Sequence, residues 1–198
     1  TDNLSVYHVS GMELTFLGQV EISGGGVEAI AVLPDPVRSL LAVAQHSADN
    51  SLINVYDLTD LVNPDLIGGP LALENGEIIQ MIWSESALFA IHRPAYQYEY
   101  VMLDRITFEG TSLTLQDSLL VPGNVVAMVI DSEIIALSSS EALSIVSINA
   151  DGALTLLAQT ALPEAGMGVT ILNERALTLS RRCGRRAAVP GPNPQAPA

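Results

Sequence analysis

The chain has 198 residues, with 22 Asp and Glu against eight basic residues, all of them Arg, for a net charge of −14. Without a Lys there is no Schiff-base amine and no Walker- or kinase-type phosphate lysine, and a lone Cys, Cys183, excludes an internal disulfide, a CxxC pair and a zinc knuckle. Residues 1–180 hold every acid and four of the Arg, a net −18 that repels phosphate backbones and argues against a nucleic-acid partner.

In chain order, the apolar runs 4–8 and 14–17 meet at Ser10-Gly11 and read as two strands. A unit of four strands then begins and recurs. Its first strand, A, follows a glycine each time: 27–32 after Gly25, 78–83 after Gly76, 125–130 after Gly123 and 168–172 after Gly166, the glycines being 51, 47 and 43 residues apart. Strand B is 40–44, 88–91, 134–137 and 176–179. Strand C is 53–57, 100–104 and 143–147, and strand D falls around Leu66, at 113–115 and at 154–157. Glu109-Gly110 and Asp151-Gly152 supply tight C–D turns. The longest apolar stretch, 125–137, is interrupted by Asp131 and Glu133, so no transmembrane helix is predicted.

The ends are half units. The opening pair reads as C and D, and the last pair, before Ser180, as A and B. A four-stranded meander has two faces to bury and needs neighbours on both, and radial stacking leaves only short edges. The expected fold is all-β: a β-propeller of four-stranded antiparallel blades, four in number when the N-terminal C–D pair completes the C-terminal A–B pair, or else a fragment of a larger propeller. Residues 1–180 form that domain. Residues 181–198, Arg-rich and then Pro- and Ala-rich, read as a disordered tail or linker. A start at Thr1-Asp2-Asn3 reads as a chain processed or cut from something longer.

The segment Asn54-Val55-Tyr56-Asp57-Leu58-Thr59-Asp60-Leu61-Val62-Asn63-Pro64-Asp65-Leu66-Ile67-Gly68 resembles the repeat of bacterial LVIVD-type β-propellers, in which a strand ending in Asp is followed by a polar turn, Pro, and a strand ending in Gly. The preceding Gly24-Gly25-Gly26-Val27-Glu28-Ala29-Ile30-Ala31-Val32 is similar to the first strand in propeller regions of choice-of-anchor surface proteins. The motif match covers residues 18–70; over 77–180 only the strand pattern continues, and Asn63-Pro64 has no counterpart. The resemblance implies a secreted or surface-exposed protein and a fold rather than a reaction, with no catalytic residue to carry across.

In such a meander the B–C and D–A loops share one end. Aligning the repeats places Gln45, His92, Ser138 and Ser180 at the close of strand B, and His46, Arg93, Ser139 and Arg181 one step later. Two His, two Arg and several hydroxyls around one mouth form a candidate ligand-binding face for a polar or anionic molecule. Polar strand ends also arise simply because loops meet water. There is no Gly-x-Ser-x-Gly, no acid placed by the sequence to orient His46 or His92, and no HExxH. His8 falls at the opposite end, level with Asp57, Asp104 and Ser147. That acidic row suggests calcium only weakly, lacking an Asp-x-Asp-x-Asp-Gly loop, and Asx turns account for such Asp residues. Trp83 reads as core between units.

The leading expectation is therefore a non-enzymatic, extracytoplasmic scaffold that binds or displays, without cofactor. Its partner would be a protein or small polar ligand, with further repeats of the same polypeptide as an additional possibility. The alternative is a hydrolase or lactonase with its site at the His46/His92/Arg93 mouth.

Overall fold

Short aliphatic runs punctuated by Gly, Asn and Asp become sixteen strands in the computed structural model, which describes residues 2–180 apart from 11, 23–24, 34–38, 48–49, 62, 75, 86, 164 and 173–174. An opening hairpin pairs β1 (Asp2–Ser10) with β2 (Glu13–Ile22). The first sheet is β3 (Val27–Leu33), β4 (Leu40–Ser47), β5 (Asn50–Asp57) and β6 (Asp65–Glu74). The second is β7 (Gly76–Ser84), β8 (Ala87–Pro94), β9 (Tyr100–Glu109) and β10 (Ser112–Pro122). The third is β11 (Val125–Asp131), β12 (Ile134–Ser139), β13 (Ala142–Ile148) and β14 (Leu154–Ala161). A closing hairpin joins β15 (Gly166–Leu172) to β16 (Arg175–Ser180). Each four-stranded sheet is an antiparallel meander in sequence order, and no helix occurs among the described residues.

Every A strand carries a β-bulge at the same place. The register against strand B slips at Glu28, Ile79, Val126 and Met167, in each case just after the residue paired with Gln45, His92, Ser139 or Ser180. A repeated bulge means a repeated local twist, so the four copies share backbone geometry as well as composition.

The B strands of the three complete sheets explain the unbroken apolar runs, because they are buried on both faces. Along β4, Leu40, Ala42 and Ala44 join a core with Met81, Trp83, Leu88 and Ala90 of the second sheet. The alternate residues Leu41 and Val43 meet Ile22 and Leu4 of the opening hairpin. Along β8, Ala87, Phe89 and Ile91 turn instead to Val125, Met128, Ile135 and Leu137 of the third sheet. The Trp83 indole N–H donates to the Ala31 carbonyl at 3.2 Å, so the only Trp does lie between two sheets. Equivalent strands touch: β3 on β7, β7 on β11 and β11 on β15, with β6 on β10 and β10 on β14.

The two hairpins are separate two-stranded sheets; among the described residues no ladder joins β16 to β1. The hairpins cap the stack instead, β1–β2 against the outer face of the first sheet and β15–β16 against β11 and β12. The third sheet is consequently less covered than the others. Leu143 and Ile145 of β13 occupy the register positions of Ile53 and Val55, which are fully buried, yet they line an open slot of about 560 Å3 with Ile134, Ile171 and Ala176.

Candidate functional site

Ladder register places the B-strand ends against one another. Val27 faces Gln45, Ile78 faces His92, Val125 faces Ser139 and Gly166 faces Ser180. The equivalent set is therefore Gln45, His92, Ser139 and Ser180, and Ser138 belongs one step earlier, with Ala44 and Ile91. The fourth glycine also shifts, since Gly166 is level with Val27, Ile78 and Val125, whereas Gly25, Gly76 and Gly123 lie two residues before them. Both slips arise because strand lengths and turns differ by a residue or two while the bulge keeps the ladder in phase.

Gln45, His92, Ser138 and Ser139 are buried rather than washed by solvent. Gln45 and Ser139 are tied into the stack by hydrogen bonds. The Asn54 amide donates to Gln45 Oε1 at 3.0 Å. Ser139 Oγ accepts the Glu141 and Ala142 amides at 3.2 and 2.9 Å and donates to the Ala142 carbonyl at 3.1 Å, closing the β12–β13 turn. Ser138 Oγ has no hydrogen-bond partner and lies against Gly166. Ser180 ends β16, and Arg181 lies outside the described residues, as does the whole 181–198 tail.

Both His residues have carboxylate neighbours, which the sequence did not place. His46 Nδ1 is 3.3 Å from Glu28 Oε1, with the imidazole more than half exposed. Glu28 also accepts the Ser51 hydroxyl at 2.5 Å and the Ile78 amide at 3.1 Å, so one side chain on the β3 bulge grips the start of the second sheet. His92 Nδ1 is 3.5 Å from Asp104 Oδ2, and both side chains are buried. Ser118 donates to Asp104 Oδ1. His92 Nε2 and Asp104 Oδ2 have no hydrogen-bond partner, and the Nε2 edge abuts Gly76. Arg93 turns away to the next junction, where it pairs with Glu77, donates to Asn124 Oδ1 at 2.6 Å and sits 6.0 Å from the Tyr98 ring centre. The expected residues thus share one end of the stack but divide among successive sheet junctions: His46 and His92 flank the first, Arg93 and Ser139 the second, Ser138 the third.

The acidic row at the other end does not form. Asp57 closes β5 and accepts the Thr59 amide at 2.8 Å and its hydroxyl at 2.6 Å, the Asx turn expected of it. Asp104 sits in mid-β9 opposite Ala90, and its register counterparts are Asn54 and Ser144. His8 lies on β1. Among the described residues, no three His, Cys, Asp or Glu are grouped to hold a metal ion, and no helix is long and apolar enough to cross a membrane.

A recess that the strand pattern did not announce lies at the opposite end, between the second and third sheets. It has a volume of about 640 Å3 and is walled by the A–B turns of both sheets and the C–D turn of the third. Arg105 is the basic residue in its lining. Neither a family model nor a curated protein matches this sequence.

Proposed function

We propose that the chain is a β-propeller module, a non-enzymatic extracytoplasmic scaffold for binding or display. The observation that carries this reading is the repeat-equivalent stacking of bulged four-stranded sheets, A strand upon A strand and D strand upon D strand. The apolar slot beside β13 supports closure, because it has the place and lining that a C strand of a fourth blade would cover. Repeating the register of the complete sheets pairs Leu4 with Leu179, Ser5 with Thr178 and Val6 with Leu177. The resemblance of residues 18–70 to LVIVD-type repeats agrees with this reading, and the acidity suits an extracellular or high-salt setting.

The polar side chains at the B–C end favour a scaffold over a reaction centre, because Glu28, Gln45, Arg93 and Ser139 are engaged in tying strands and sheets together. The hydrolase or lactonase reading rests on the His92–Asp104 pair with its unpartnered Nε2. Thermal melts with calcium and zinc, alongside assays on simple esters and lactones, separate the two. The scaffold reading expects an unmoved melting temperature and no turnover. Turnover that is lost in the His46→Ala, His92→Ala double variant would establish the enzyme instead, and metal stabilisation lost in the same variant would favour a metal site at that mouth.

A further inference from the structure

The recess between the second and third sheets contains a residue that the repeat does not explain. Arg105 on β9 lies opposite Phe89, and both face the third sheet. By ladder register its counterparts are Val55 and Ile145, which lie opposite Ala42 and Ala136. Two units therefore place a β-branched aliphatic side chain where this one places a guanidinium. Among the described residues the Arg105 guanidinium makes no hydrogen bond or ion pair, and its Nε is buried without a partner. Burying part of a cation without compensation is unfavourable. Packing alone does not account for such a residue, because the aliphatic alternative is already present in the neighbouring repeats.

The surroundings accommodate the guanidinium rather than neutralise it. Gly152 presses against it so closely that a Cβ there would lie 2.3 Å from Nη1, and its φ of +84° also requires glycine. Asp117, opposite Arg105 on β10, accepts the Leu154 amide at 2.6 Å through Oδ2, and Asp151 accepts the Ala153 amide at 3.0 Å; both carboxylates line a smaller pocket beside the guanidinium without pairing with it. The recess is floored by Phe89, Ala87, Ile134 and Ile148, and Glu85 and Glu133 stand at its A–B turns. Its volume of about 640 Å3 lies within the usual range for small-molecule sites.

We propose that this recess binds a small zwitterion of amino-acid or dipeptide size. Its carboxylate takes the Arg105 fork, its apolar body lies over Phe89 and Ile148, and its ammonium faces Glu85 and Glu133. The planar guanidinium matches a carboxylate bidentately. The acidic rim and the strongly negative body disfavour a plain dianion and favour a molecule that brings its own positive charge. The site involves only the second and third sheets, so it stands whether or not the ring closes.

Calorimetric titration of the whole protein with L-leucine and with Ala-Leu tests this. Isocaproate and isoamylamine, each carrying one half of leucine's charge, serve as comparators. Saturable binding of leucine or the dipeptide is expected, with each half molecule weaker by about tenfold or more. Arg105→Val installs the residue of the equivalent repeat position, and should retain or raise the melting temperature while abolishing binding. Glu133→Gln should weaken binding more modestly. No saturable binding of either probe, equal affinity for isocaproate, or binding that survives Arg105→Val would overturn the proposal. A lowered melting temperature in Arg105→Val would also overturn it, by making the guanidinium structural.

Discussion

At the D–A turn before the second sheet, Gly76 shows how little space the stack leaves between strands. A Cβ there would lie 2.1 Å from the Arg93 carbonyl oxygen and 2.5 Å from His92 Nε2, and the backbone oxygen has nowhere to go. Gly76→Ala should therefore destabilise by about 1–3 kcal/mol, the usual range for overpacking. Gly110→Ala is the matched control, because its φ is +63° but nothing lies within 4 Å. It should lose only about 1–2 kcal/mol of left-handed strain. Chemical denaturation of the pair checks this, and a Gly76→Ala chain as stable as the parent would mean that the Gly76 contact relaxes freely.

The fold alters the titration of Tyr56. Packed against Ile22, Leu41 and Val43, its phenol is raised above the ordinary 10.0 by burial. The folded chain keeps this proton at a pH where the unfolded chain releases it, so stability falls as pH rises above about 10. The contribution is intact below the unfolded value and is lost as pH climbs through the folded one. Tyr56→Phe should flatten that alkaline decline in a denaturation series, and an unchanged slope would place the loss elsewhere.

Among the elements, the A strands join one sheet to the next. Gln80 on β7 donates to the Met128 carbonyl at 3.2 Å and accepts the Met128 amide at 2.8 Å, a two-way bond between the second and third sheets. Gln80→Ala leaves both backbone groups unpartnered, and a loss of about 2–4 kcal/mol follows from two such groups. Hydrogen exchange should show the Met128 amide losing protection first; a uniform loss across the chain would contradict this local role.

These elements also show what the sequence makes legible. The order of sixteen strands could be read because glycines punctuate each A strand and doubly buried B strands leave unbroken apolar runs such as 40–44. Ser138 was set one step out of register because the apolar run of β12 ends a residue early, with a Ser where β4 and β8 have Ala44 and Ile91. Glu28 and Asp104 were missed as neighbours of His46 and His92 for another reason. Such partners are set by bulge geometry and diagonal cross-strand contacts, which linear spacing does not encode. Arg105 carried a faint signal, an Arg where parallel repeats have Val55 and Ile145, but it emerges only once the ladders fix the register.

Across the whole molecule, three complete sheets lie between two half units, and the apolar surfaces at the ends are unequal. The opening hairpin covers Leu41 and Val43 of the first sheet, whereas Leu143 and Ile145 of the third line an open slot beside β15 and β16. Closure of the ring would cover that slot and join the two free hairpin edges in one ladder, removing the exposed strand edges that otherwise invite association. Cysteines at positions 5 and 178, in a chain carrying Cys183→Ser, test this most directly. The account predicts that Ser5→Cys and Thr178→Cys form an intramolecular disulfide under mild oxidation in a monodisperse monomer. A chain that stays reduced, or that links only to a second copy, would contradict it.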